Sequence, residues 1–152
     1  MKRVIIMIKN KDCIFIVDNF KNKNEAIEFV GLKMVELNYI ENKYIDFIKQ
    51  RDQLASVAIG NYLAIPHGTI QGQEFIKNQG IIIVKLNKTM SWDNEKVNWI
   101  IGLSLIGDKQ IEMLQTIAIL FEDIKKVEKI TNDLTSVDQI YEFFKNLKIG
   151  EE

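Results

Sequence analysis

Three adjacent residues, Pro66, His67 and Gly68 in the stretch "GNYLAIPHGTI" (Gly60 to Ile70), concentrate the chemistry this chain can offer, for they include its one proline and its one histidine. Pro66 fixes its own φ at about −65° and drives Ile65 into extended geometry, so the run "YLAI" is held straight to its end. Gly68 can take a positive φ and turn the chain at once, with no side chain crowding the ring before it. His67 therefore stands at a strand end on a stiff frame, and ligands of open α/β sheets usually bind at strand ends. An imidazole with the ordinary pKa of about 6.5 is largely neutral at pH 7 and available as a nucleophile. One ring nitrogen can attack while the other donates to a backbone carbonyl that fixes tautomer and aim.

Few reactions are open to a single histidine. A Ser–His or Cys–His pair needs a partner nucleophile in a recognisable setting, and neither a GxSxG elbow nor a suitable cysteine occurs. A metal site needs two or more further ligands of matching type, and the histidine is already used. A covalent carrier needs one imidazole plus hydrogen-bond donors for the group it carries. The same residues also suit a packed turn histidine satisfied by a backbone carbonyl, and their spacing alone leaves both readings open.

The elements that must position His67 fit one domain, residues 1–152, long enough to bury a proper core. With 47% apolar and 27% charged residues the composition is that of an ordinary globular protein. A net charge of −1 gives no global field toward nucleic acid or an anionic membrane, so neither is an expected partner. Cys13 is the only cysteine, which excludes a disulfide framework, a zinc knuckle and a CxxC pair, and its place in "CIFIV" reads as an inert core thiol. The opening "MKRVIIMI" pairs basic with apolar residues, but its apolar run is too short for a secretory signal or a membrane span. The protein is expected in the cytoplasm, without membrane insertion.

"VIIMI" and "CIFIV" read as short strands around "KNKD". Asn22 with Glu25 forms a capping box before a helix carrying Ile27, Val30, Met34 and Leu37 at helical spacing. A second helix spans about 42–51, with Tyr44, Ile45 and Ile48 inward and Arg51 near its C-terminal end, where a cation is favourable. "SVAI" and "YLAI" are two short strands around the turn Gly60-Asn61, "GIIIVKL" is a buried strand, and "VNWIIGLSLI" is another, covered on both faces. Asp108 caps a helix with Ile111, Leu114, Ala118 and Phe121 as its stripe, and a short helix lies near 125–130. Ser136 and Gln139 box the start of a last helix that buries Ile140, Phe143, Phe144 and Leu147. Paired helices on either side of a central set of strands predict an α/β fold, a three-layer α/β/α sandwich on a small mixed sheet.

"GNYLAIPHGT" resembles the active-site segment of the enzyme IIA domains of the bacterial phosphoenolpyruvate-dependent sugar phosphotransferase system, mannitol–fructose class. "IKQRDQL" is similar to the helix end bearing that family's active-site arginine, which points to Arg51. "VNWIIGLSLIGDKQIEMLQTIAILFED" resembles its second block, a buried strand and long helix, and "LTSVDQIYEFF" resembles its "TSVDE" helix. These segments follow in order over about 22–147. The resemblance implies that His67 accepts a phosphoryl group from the phosphocarrier HPr and gives it to a cysteine of an enzyme IIB partner. Positioning and charge neutralisation dominate phosphoryl transfer, and Arg51 would supply a planar, permanently charged fork. Gly68 and Thr69, with the backbone N–H groups that follow, would bind phosphate; a simple turn hydroxyl is the other reading of Thr69. No cofactor or metal is implied, and the IIB and membrane permease parts are expected as other chains.

Two departures from that family's pattern stand out. Gln110 in "GDKQI" occupies the place of a second histidine in an "NEH" segment; an amide can donate to phosphate but cannot carry charge. Asn61 stands where mannitol members often have glutamate, so one lost cation and one lost anion leave the local charge balanced. The missing histidine also suits a regulatory IIA-like protein whose phosphorylation state controls binding to a kinase, transporter or transcription regulator. "IPHGT" and "TSVD" favour mannitol as the sugar, while "SWD" leans toward fructose. Trp92 and Asp93 otherwise read as an aromatic over the sheet edge with an acidic turn neighbour.

Overall fold

A computed structural model of the chain describes residues 2–3, 8–146 and 148–149. β1 (Lys2–Arg3) pairs antiparallel with β7 (Lys148–Ile149). The main sheet has five strands in the order β2 (Ile14–Val17), β5 (Gly80–Trp92), β6 (Glu95–Ser104), β4 (Tyr62–Ala64) and β3 (Ala58–Gly60). β2 runs parallel to β5 and β6 parallel to β4, whereas β5 with β6 and β4 with β3 are antiparallel. The sheet is mixed, as the sequence predicts. Residues 4–7 of the expected "VIIMI" strand, and Leu147, lie outside the described residues.

Strict alternation along β5 builds the two cores. Ile82, Val84 and Leu86 pack under α1 (Lys23–Glu36) and α2 (Tyr44–Leu54), against Ile27, Val30, Met34, Tyr44 and Ile48. Ile81 and Ile83 face α3 (Asp108–Leu120), α4 (Ile124–Asp133) and α5 (Val137–Lys145), against Met113, Ile117, Val127 and Phe144. A strand buried on both faces must be apolar at every position, which explains "GIIIVKL". Each buried isoleucine contributes about 1.5–3 kcal/mol. The exception is Lys85, buried with its Nζ donating to the Leu134 carbonyl at 2.7 Å; burial pushes its amine below the ordinary lysine range. The chain therefore forms the predicted three-layer α/β/α sandwich.

Both capping signals hold, with one change. Ser136 Oγ accepts from the Gln139 N–H and Gln139 Oε1 from the Ser136 N–H, each at 3.1 Å. Asn22 Oδ1 accepts from the Glu25 N–H at 2.9 Å, but Glu25 reaches back to the Lys21 N–H, one residue earlier than a box requires. α3 departs further from expectation. Its N-cap is Gly107, at φ 62°, and Asp108 is the first helical residue, favourable there as an acid but capping nothing. Its buried stripe is Gln110, Met113 and Ile117, with Phe121 behind, whereas Ile111 is 56% exposed and Ala118 also faces solvent. A glutamine in the inner stripe disguised the correct register.

β5 and β6 extend beyond the expected segments and join as one hairpin. Asp93 and Asn94, at φ 49° and 73°, supply the two positive φ values that a type I′ turn requires. The polar residues Asn87, Lys88 and Thr89 interrupt the apolar pattern because residues 86–89 bulge opposite Asn98, which spans the gap by accepting from Thr89 Oγ1 (2.9 Å) and donating to the Leu86 carbonyl (3.3 Å). Trp92 does not cover a sheet edge. It is fully buried at the end of an inner strand. Because position 94 is left-handed, Asn94→Val should lower unfolding free energy by about 1–2 kcal/mol while Asn94→Gly leaves it unchanged or raised, as read by urea denaturation.

Candidate active site

His67 follows β4 on a segment clamped from both sides. The Ile65 N–H donates to the Val57 carbonyl and the Leu103 N–H to the Pro66 carbonyl, both at 2.9 Å. His67 Nδ1 lies 2.8 Å from the Ile65 carbonyl. A carbonyl only accepts, so Nδ1 carries the proton and Nε2 keeps its lone pair. The residue is 5% exposed, and this burial pushes the imidazole pKa below 6.5. The Ile65 hydrogen bond opposes that fall and the Arg51 charge adds to it. The ring is thus neutral near pH 7, with one nitrogen oriented and the other open.

Gly68 serves differently from the sequence expectation. Among the described glycines only Gly60 and Gly107 have positive φ, so Gly68 makes no left-handed turn. What requires glycine is Tyr44: a Cβ at residue 68 would sit 2.6 Å from its ring. The Gly68 N–H donates to the Tyr44 hydroxyl at 2.8 Å and is therefore engaged rather than free for phosphate. Burial pushes the Tyr44 phenol up to about 12, against the Gly68 bond, so it stays neutral. Tyr44 was legible as a core residue of α2; nothing in its spacing announced that its hydroxyl props the histidine segment.

His67, Arg51, Thr69 and Gln110 meet in one pocket of about 530 Å³, with Gly68 in its wall. Arg51 comes from the last turn of α2, where its Nη1 donates to the Ala55 carbonyl at 2.7 Å. Its other guanidinium N–H groups remain for a ligand. Thr69 Oγ1 and Gln110 Oε1 are buried yet have no hydrogen-bond partner among the described residues. Leaving such an atom unpaired costs about 1–3 kcal/mol, which a polar ligand would remove. The Gln110 carboxamide can present either its oxygen or its NH₂ by a half-turn. Arg51 is the cation and Asp108 the anion among the lining residues, and exposed Leu54, Ile70 and Ile111 form an apolar rim. A nucleophilic nitrogen, a guanidinium and two unsatisfied polar groups suit a small oxyanion.

Gly107 completes the pocket wall in a conformation that favours glycine, and two glutamines fix its loop: Gln73 Oε1 accepts from the Gly107 N–H (3.2 Å) and Gln79 Oε1 from the Ile106 N–H (2.9 Å). Asn61 lies elsewhere. Its Nδ2 donates to the Phe121 and Glu122 carbonyls at 2.8 and 3.1 Å, at the far end of α3, so no local charge balance links it to Gln110. Trp92 and Asp93 do not line the pocket either. Among the described residues no three His, Cys, Asp or Glu side chains gather as a metal site, and no helix is long and apolar enough to cross a membrane.

Residues 7–147 match the family model described as phosphoenolpyruvate-dependent sugar phosphotransferase system, EIIA 2. The chain is 37% identical over 135 residues to the mannitol-specific phosphotransferase enzyme IIA component of Mycoplasma pneumoniae, covering 88% of this chain and 94% of that one. Its fold is similar to the crystal structure of IIA mannitol from Escherichia coli, with a TM-score of 0.78 and 23% identity over 88% of this chain and 96% of the other. It is equally similar, at TM-score 0.78 and 22% identity over 88% and 94%, to a complex of enzyme IIA mannitol and phosphorylated enzyme IIB mannitol from Escherichia coli.

The buried imidazole makes a pH prediction. Its folded pKa lies below the unfolded value, so the unfolded chain binds the proton more readily; the associated stability is present above about pH 6.5 and is lost as pH falls through the folded pKa. An NMR titration should place the His67 midpoint below 6.5. Wild type should also lose more unfolding free energy than His67→Gln between about pH 7.5 and 5. A midpoint above 6.5, or equal losses, would contradict the buried neutral ring.

Proposed function

The chain belongs to the EIIA 2 family of the phosphoenolpyruvate-dependent sugar phosphotransferase system and is a phosphotransferase component; from that premise we propose that His67 is its phosphoryl carrier, loaded by phospho-HPr and discharged to a cysteine of a IIB partner. The observation that supports this most directly is the convergence of the open His67 Nε2, the Arg51 guanidinium and two unpartnered buried polar atoms on one pocket. In loading, the Nε2 lone pair attacks phosphorus, and the bonding pair of the donor's N–P bond leaves with the HPr imidazole. The ring then carries positive charge, which the Nδ1–H bond to Ile65 spreads toward the carbonyl. In discharge, a IIB thiolate attacks phosphorus and the N–P pair returns to Nε2.

Arg51 neutralises phosphate oxygens with the part of its fork that Ala55 leaves free, while Thr69 Oγ1 and the Gln110 amide donate to others. Gly68 contributes room rather than a donor. Mannitol is the sugar class favoured by the name of the relative from Mycoplasma pneumoniae, and the IIB partner by the complex from Escherichia coli. HPr as donor and the cytoplasm as location belong to the same proposal. One observation favours a second reading, a regulatory protein whose phosphorylation is sensed: Gln110 supplies no charge beside the phosphate.

Incubation with phosphoenolpyruvate, enzyme I and HPr should add one acid-labile, base-stable phosphoryl group, detected by intact mass, and His67→Ala should abolish it. An unchanged phosphate signal in that variant removes the assignment. Wild type that loads but passes phosphate to a IIB protein only after Gln110→His decides for the regulatory reading.

Arg51→Lys keeps the charge but loses the planar fork, and should slow loading by one to two orders of magnitude, about 1.4–2.8 kcal/mol of barrier. Gln110→Ala should slow it less than tenfold, since one neutral hydrogen bond is worth about 0.5–1.5 kcal/mol. Wild-type rates in Arg51→Lys and Arg51→Ala would make Arg51 a helix-end cation and nothing more.

A further inference from the structure

Asp52, next to Arg51 on α2, holds a buried carboxylate that lines no part of the pocket. Its Oδ1 accepts from the Val57 N–H and the Trp92 Nε1–H, both at 3.1 Å, and its Oδ2 lies 2.7 Å from Lys23 Nζ. Lys23 is shared with Asp93 at 2.8 Å. A carboxylate with 2% side-chain exposure persists only when paired and hydrogen-bonded, and Asp52 is fully engaged. Its three partners come from the first turn of α1, the end of β5 and the loop after α2. That loop carries the references for both chemical groups of the pocket. The Val57 carbonyl accepts the Ile65 N–H (2.9 Å), and the Ile65 carbonyl accepts His67 Nδ1–H (2.8 Å). Two residues before Val57, the Ala55 carbonyl holds the Arg51 fork at 2.7 Å.

We propose that Asp52 is a positioning residue for phosphoryl transfer: by fixing Val57 it sets the spacing between the His67 ring and the Arg51 guanidinium. The inference rests on His67 being the phosphoryl acceptor. Nucleophile and phosphate-neutralising fork must meet one phosphoryl group together, and a displacement of about 1 Å in such an arrangement costs about 100-fold in rate. Asp52 is buried and lines no part of the pocket, so its effect belongs in the transfer step and not in docking.

The test is loading of Asp52→Asn by phospho-HPr at varied HPr concentration. The maximal rate should fall about 10- to 100-fold while the KM for phospho-HPr stays within about twofold of wild type. In proton NMR the His67 Nδ1–H signal should broaden or vanish, whereas the Trp99 indole N–H, bonded to Thr131 at 2.8 Å on the opposite face, should stay as it is. If Asp52→Asn fails to fold, Lys23→Gln decides, at a side chain that is 32% exposed, with a smaller loss in the same parameter and the same His67 signal. Wild-type kinetics in the folded variants, or slower transfer with an unchanged His67 signal, overturns the inference. Wild type that takes no phosphate sinks the carrier reading and this inference with it. An active wild type matched by its variants sinks this inference alone.

Discussion

The hydrogen bond from the Leu103 N–H to the Pro66 carbonyl shows how the buried sheet sets the site. β6 is covered on both faces, so its backbone groups must find partners within the sheet. On the other side of β4 the ladder toward β3 ends with the Ile65 N–H on Val57. The next residue needs no donor there, and proline has none. Its carbonyl still bonds to β6, so the chain is held in line two residues beyond β4 and His67 leaves from a fixed point. The Ile65 carbonyl, freed from the ladder, is what Nδ1 uses. The imidazole's tautomer is thus a consequence of where the sheet stops.

The pocket combines this rigidity with deliberate incompleteness. Tyr44 supports Gly68 from beneath, Gln73 and Gln79 fix the Ile106-Gly107 loop, and Asn61 ties the β3–β4 turn to the end of α3. Inside this braced frame Thr69 Oγ1 and Gln110 Oε1 have no partner among the described residues. Polar atoms left unsatisfied in an otherwise bonded region mark a place kept for something that arrives and leaves. The apolar rim of Leu54, Ile70 and Ile111 would help exclude water from the ring once the pocket is covered.

Much of this was legible in the sequence, and the failures have physical causes. Capping residues before apolar stripes locate α1 and α5, the continuous apolar run "VNWIIGLSLI" marks β6 as covered on both faces, and "GIIIVKL" marks β5 as buried. Its true length stayed hidden because the bulge at 86–89 places polar residues inside a strand. Of the expected α3 stripe Leu114 and Phe121 do pack inward, whereas Ile111 and Ala118 face solvent, because the inner stripe starts with Gln110, a polar residue that lines the pocket. Local pattern fails where a position serves a site instead of the fold. Gly68 makes no left-handed turn but clears the Tyr44 ring, a contact 24 residues away in sequence that no local rule reveals. Asp52 gave no signal, since its partners are scattered over three elements.

The two departures at 61 and 110 differ in kind once placed. Asn61 donates to two carbonyl oxygens, an arrangement that a carboxylate could not reproduce, because acceptor would face acceptor. Glutamate at that position would have to turn elsewhere and leave the end of α3 untied. Asparagine also tolerates its φ of 53° better than most residues. Asn61 is therefore explained by the helix it holds, without reference to phosphate. Gln110 has no such structural employment: its oxygen is buried without a partner among the described residues, in the pocket that His67 also lines. Since α3 is fixed near its start through the Gly107 loop and at its end through Asn61, histidine in place of Gln110 would change the charge beside His67 while leaving the frame in position. With Gln110 uncharged, Arg51 is the cation among the residues lining the pocket, and under the proposed transfer the chemistry would depend on how accurately that one fork is held.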